Sequence, residues 1–168
     1  MTVKEAIETR KSIRKYSTKP IEAEKLTRVL EAGRLAPSAM NLQDWKFIAV
    51  TDPEKIKEMQ VACMNQKQVG MAPATIVVCA ENDKMMGCGQ SKGSLDCSIA
   101  LSFMMLRAWE EGLGTCWLGA FDEEKVRAVL DIPADVRVVA VTPIGYPDED
   151  PAAKPRKSAD EVISYNNY

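Results

Sequence analysis

Apolar and polar positions recur with two different periods along this chain, and each change of period marks an element. Thr2-Val3-Lys4-Glu5 is a capping-box pattern, a hydroxyl and a carboxylate three residues apart that satisfy each other's free amides, and it predicts a helix from about Val3 to Lys11. After Pro20, Leu26, Val29, Leu30 and Gly33 fall at helical spacing, and this second helix must stop near Ala36 because Pro37 restricts the residue before it. Lys46 to Val50 alternates as a strand does, and Asp52-Pro53-Glu54 then caps a third helix to about Met64. Thr75 to Ala80 is an unbroken β-branched and apolar run, which predicts a central strand buried on both faces. Leu95 to Glu111 is apolar nearly all round, with Leu101, Met104, Met105 and Ala108 inward and Gly112 as its stop, so it reads as the core helix. A short helix from Asp122 to Leu130 and a strand from Arg137 to Ile144 complete the pattern.

Three stretches break the periodicity. Pro37-Ser38-Ala39-Met40-Asn41-Leu42-Gln43-Asp44-Trp45 is an irregular loop of small and amide side chains, either a polar turn or a place where backbone approaches a planar ligand. Gly112 to Phe121 holds three glycines in its first eight residues, a backbone bare enough for something flat to lie against its amides. From Asp148 to Lys157 the chain is charged and Pro-rich, so this tail has little to bury within its own chain and either hangs free or lies across a partner.

Composition narrows the chemistry. At 168 residues the chain fits one domain, and a net charge of -2 gives no field that would gather nucleic acid or an anionic membrane surface. Any anion site must be local. Arg10-Lys11-Ser12-Ile13-Arg14 offers two guanidiniums and a hydroxyl, either a solvated basic face or donors for a phosphate or an electron-rich carbonyl, and Lys154-Pro155-Arg156-Lys157 is a second basic cluster at the far end. The longest apolar stretch contains Arg107 and is too short to span a bilayer; the opening residues hold no apolar signal region, so a cytoplasmic location is expected. Five widely spaced cysteines suit reduced core thiols. Histidine is absent, which removes the usual general base and the commonest metal ligand, excludes Ser-His-Asp and Cys-His mechanisms, and predicts no metal site. If this is an enzyme, a bound organic cofactor carries its chemistry.

Arg10-Lys11-Ser12-Ile13-Arg14, Ala36-Pro37-Ser38-Ala39 with Asn41 and Gln43, Gly112-Leu113-Gly114-Thr115-Cys116-Trp117-Leu118-Gly119, and Gly145-Tyr146-Pro147 with Pro155-Arg156-Lys157 occur together and in that order. Jointly they resemble the nitroreductase family of FMN-dependent oxidoreductases. The resemblance implies an α+β fold with a mixed central sheet flanked by helices, one domain over 1–168, and an intertwined homodimer with FMN at the interface, residues 147–168 reaching the partner subunit. It implies that Arg10 and Ser12, with Arg156 and Lys154, hold the phosphate, that Lys11 contributes its backbone, and that Arg14 lies near the pyrimidine edge of the flavin. Pro37, Ser38, Ala39 and Asn41 would cover the ring from the other subunit, Asn65 and Gln68 would add polar contacts, and Trp117, Leu118 and Gly119 would present backbone near N5. The implied activity is ping-pong hydride transfer from NADH or NADPH through FMN to a nitroaromatic, quinone or similar small aromatic acceptor. The alternatives are specialised flavin chemistry, such as reductive dehalogenation, and a flavin-binding module without turnover. Asp44 departs from the proline that the family commonly has before the tryptophan, and the compact stretch from Met64 to Leu95 implies an open pocket.

Overall fold

The computed structural model covers residues 1–168 and is an α+β arrangement of three layers around a four-stranded sheet. The strands are β1 (Trp45–Val50), β2 (Ala74–Ala80), β3 (Gly114–Thr115) and β4 (Arg137–Gly145), in the order β1-β2-β4-β3. The helices are α1 (Val3–Thr9), α2 (Ala23–Arg34), α3 (Pro53–Ala62), α4 (Lys67–Met71), α5 (Lys92–Glu110), α6 (Glu123–Leu130) and α7 (Ala159–Val162). Where a mixed sheet is expected, the named strands pair antiparallel throughout; the parallel contact is an isolated bridge between Ser12 and Thr115.

The run at β2 is apolar at every position because both faces of the sheet are covered. Ile76, Val78 and Ala80 point into one cluster with Val29, Leu101 and Met104 of α2 and α5, whereas Val77 and Cys79 point into a second with Ile56, Met59 and Val126 of α3 and α6. All seven β2 residues are buried. Burying side chains such as Leu101 and Met104 stabilises the fold by about 1.5–3 kcal/mol each.

Several ends differ from the periodic reading. α1 stops at Thr9 because Arg10 adopts extended backbone (ψ 133°), which leaves Arg10 to Arg14 outside the helix. α5 begins three residues early, at Lys92, since the Ser91 hydroxyl caps it by accepting from the Ser94 amide at 3.0 Å. α4, five residues long, lacks the length for a periodic signal and is not predicted by the pattern. On α5 the inward face is as expected, but Leu95, Ile99 and Phe103 form an exposed stripe at 40, 38 and 44%.

The Asp44 substitution has a visible counterpart. Its carboxylate pairs with the Lys92 ammonium, whose side chain is 6% exposed, and accepts from Asn82 Nδ2 at 3.3 Å. A buried lysine is costly unless paired, so Asp44 makes Lys92 tolerable at the start of α5 while fixing the exit of the 37–45 loop.

All five cysteines are free thiols. Burial pushes Cys63 and Cys79 up to about 11 and Cys97 up to about 12, from an ordinary value of 9.0. Above pH 9 the unfolded chain therefore binds fewer protons than the native one, so the stability carried by these thiols is present below pH 9 and lost as pH rises toward 11–12. The melting temperature should hold steady to about pH 8.5 and then fall, with a shallower fall in Cys97→Ala. A slope unchanged by that substitution would show that this thiol is not the cause.

Candidate functional site

The basic run leaves α1 in extended form and lies along β3. Ile13 N donates to Thr115 O at 2.9 Å, and the bridge between Ser12 and Thr115 continues the contact. Gly114 makes this approach possible, since a Cβ there would come within 2.5 Å of the Ile13 side chain. The expectation that the glycines of this stretch lie bare for a ligand divides three ways. Gly114 is filled by the chain's own Ile13, Gly112 is exposed but serves to turn the chain after α5 at φ +76°, and Gly119 is exposed with open space beside it and no left-handed turn to make.

The two ends of the sequence meet beside this segment. Arg10, Lys11, Ser12, Arg14, Lys154 and Arg156 line one cavity of about 660 Å³, together with Glu8, Thr9, Trp109 and residues 151–153, so that five cations face a single carboxylate. Lys11 Nζ is paired with Asp150 Oδ1 at 2.6 Å. The charged groups of Arg10, Arg14, Lys154 and Arg156 have no anionic partner in the chain, and the Ser12 hydroxyl makes no hydrogen bond within it. Arg10 and Ser12 also line a second cavity of about 400 Å³ with Ser102, Met105, Leu106 and Trp117. A cationic chamber thus opens onto a more apolar one through two shared residues. This fits a ligand with a phosphate at one end and a flat ring at the other, as FMN has, because unpaired cations and a free hydroxyl are the donor set for a phosphate.

Among the Trp117, Leu118 and Gly119 backbone groups, Leu118 is committed elsewhere. Its N–H donates to Val141 O at 2.8 Å and its carbonyl accepts from Val141 N at 3.2 Å, while its side chain is buried in the second cluster. Trp117 and Gly119 keep their amides free within the chain.

Pro37, Ser38, Ala39 and Asn41 do not line either cavity of this chain. Their loop is rigidly held: Ala39 N donates to Asp96 Oδ1 at 3.1 Å, Gln43 N donates to Ser38 Oγ at 3.1 Å, and Met40, Asn41 and Gln43 all take left-handed φ between 54° and 56°. Asn65 and Gln68 are also outside the cavities. Gln68 Nε2 donates to Gln66 Oε1, and Gln66 Nε2 donates to Ala120 O at 2.7 Å, which sets this corner one residue beyond Gly119.

Outside the expected set, Glu8, Thr9, Trp109 and residues 151–153 line the first cavity, and Ser102, Met105 and Leu106 line the second. The spacing of three and four puts Ser102, Met105 and Leu106 on one face of α5, but two of the three are apolar and so are indistinguishable from core by pattern alone. Of the cysteines, Cys116 sits nearest the cations; burial raises its thiol, and the Arg14 guanidinium partly offsets that rise. It is a protonated thiol at neutral pH and no nucleophile.

A model described as the nitroreductase family matches residues 7–93 and 62–146 of the chain. A relative from Archaeoglobus fulgidus is 38% identical over 148 residues, 86% of this chain and 84% of that one. An NADPH-flavin oxidoreductase of Vibrio harveyi is 29% identical across 98% of this chain and 73% of its own length. Among solved structures, an FMN-dependent nitroreductase from Clostridium difficile superposes with a TM-score of 0.82 at 32% identity, covering 97% of this chain and 98% of that one.

Gly114→Ala should cost about 1–3 kcal/mol, because the new methyl pushes against Ile13 and lifts the basic segment from β3. Chemical denaturation measures the loss, and a neutral substitution would mean that the segment is not seated by this contact.

Proposed function

The chain belongs to the nitroreductase family, and from that premise we propose that it is an FMN-dependent oxidoreductase that passes hydride from NADH or NADPH to a small flat acceptor, a nitroaromatic or a quinone. The observation that carries this reading is the split cationic chamber, four of whose five cations have no anionic partner in the chain, continuous with the cavity beside Trp117. Two relatives support the cofactor by their names, an FMN reductase (NADPH) of Bacillus subtilis and a Vibrio harveyi NADPH:FMN oxidoreductase solved with NAD+.

Arg10, Ser12, Lys154 and Arg156 hold the phosphate in this reading, with Lys11 contributing backbone. Bound FMN supplies two-electron chemistry, accepting hydride at N5 and releasing it to the acceptor in ping-pong order. Arg14, which lines the same cavity, would meet the pyrimidine edge of the ring and offset negative charge there. Trp117 and Gly119 would offer their free amides to the reactive side of the bound ring, and Leu118 fastens that segment through Val141. Asn65 and Gln68 add polar contacts from the corner beside Ala120. No side chain serves as general base, which agrees with a chain that has no histidine; protons come from water.

The complete site is that of a homodimer. In support, Leu95, Ile99 and Phe103 on α5, Val3 and Ile7 on α1, and Val162, Ile163, Tyr165 and Tyr168 in the tail are all exposed, more apolar side chain than an isolated chain leaves in water without a partner. Within that dimer Pro37, Ser38, Ala39 and Asn41 cover the partner's flavin; of the tail, expected to reach the partner over 147–168, the part up to Arg156 stays on its own chain and the part beyond it reaches across. The whole chain acts as one domain. No helix is long and apolar enough to cross a membrane. We assign the protein to the cytoplasm, where NAD(P)H is at hand and free thiols persist.

Purified protein should be yellow and bleach on anaerobic addition of NADH or NADPH; bound flavin that never bleaches would mean a binding module. Arg10→Ala with Arg156→Ala should weaken FMN at least about 100-fold, since two charge-assisted contacts of about 1.5–3 kcal/mol are removed. Phe103→Glu should shift the species in solution from dimer to monomer by light scattering and release FMN with it. A monomer that retains the flavin would refute the shared site.

A further inference from the structure

The cationic chamber poses a problem of assembly that hydrophobic burial does not solve. Lys154 and Arg156 lie in a segment that is exposed at every position from Ala152 to Tyr168, so no core holds them opposite Arg10 and Ser12. What precedes them is a backbone zipper. Ser17 N donates to Tyr146 O at 2.9 Å, Tyr16 bridges Pro147, and Asp148 N donates to Lys15 O at 3.0 Å. The next residue then changes from backbone to side chain. Glu149 Oε1 accepts from Arg14 N at 2.6 Å and from Lys15 N at 3.2 Å, and neither amide has another partner. Beyond it comes only the pair of Lys11 with Asp150, whose side chain is 89% exposed and whose attraction is therefore largely screened.

We propose that Glu149 is the positioning residue that closes the anion chamber. Its carboxylate, accepting two backbone amides of the basic run, fastens the tail so that Lys154 and Arg156 face Arg10 and Ser12. This inference rests on reading the chamber as the phosphate site of FMN. Glu149 itself does not line the cavity, so it holds the cations in place without competing for them as an anion. Lys154 follows five residues later, a tether of at most about 17 Å, which keeps the two tail cations concentrated at the groove.

Titration of the apoprotein with FMN and with riboflavin, read by quenching of flavin fluorescence, isolates this role. Riboflavin has the ring and ribityl chain but no phosphate, so the ratio of the two affinities reports the phosphate contacts alone. Glu149→Ala should lower FMN affinity at least about tenfold and leave riboflavin affinity unchanged, the size expected for one charge-assisted contact. Glu149→Gln, whose amide oxygen still accepts both N–H groups, should stay within about threefold of the wild type. An unchanged ratio in Glu149→Ala, loss of both ligands together, or a Glu149→Gln protein as weak as Glu149→Ala would each overturn the assignment. A wild-type protein that fails to prefer FMN over riboflavin would instead overturn the reading of the chamber on which it rests, a failure visible before any substitution is made.

Discussion

The seating of the Arg10–Arg14 segment on β3 is the contact on which the rest of the site depends. It requires a position without a Cβ, Gly114, opposite a fully buried Ile13, and it converts what composition presents as a loose basic run into an edge of the sheet. Once Ile13 is anchored, the pleat decides the rest. Its neighbours Ser12 and Arg14 are directed away from the core and both line the cationic cavity, because successive side chains of an extended segment alternate. Tyr16 reinforces the arrangement from below, its hydroxyl donating to Ile13 O at 2.6 Å.

The chemistry that such a site supports is electrostatic. Its charged groups are the guanidiniums and ammoniums of Arg10, Lys11, Arg14, Lys154 and Arg156 with the single carboxylate of Glu8, and the nearby Cys116 thiol is pushed upward by desolvation into an inert, protonated form. The lining of the two cavities holds neither histidine nor cysteine. A protein of this design positions a cofactor and offsets charge, which is the division of labour expected where the cofactor does the bond making.

Asp44 shows how a departure from a family pattern is absorbed. Proline at that place restricts the chain by its ring, whereas Asp44 restricts it through an ion pair with the buried Lys92 and a hydrogen bond from Asn82. The loop before it carries three left-handed residues, a strained conformation that persists only if its surroundings impose it. Asp96 at the start of α5 and the Asp44–Lys92 pair supply that constraint from two sides.

Sequence alone determined the elements whose signals are local. The capping box at Thr2, the doubly buried β2, the inward face of α5 and the tail with nothing to bury are all legible, because each follows from spacing or composition within a few residues. The ordered motifs extended that to the family. Tertiary structure decided what depends on distant partners. It turned the expected mixed sheet into antiparallel strands, gave Gly114 to Ile13 rather than to a ligand, committed the Leu118 backbone to Val141, and brought Lys154 and Arg156 to Arg10 through Glu149. None of these can be read from periodicity, because a hydrogen bond between residues 135 positions apart leaves no mark on the pattern near either one.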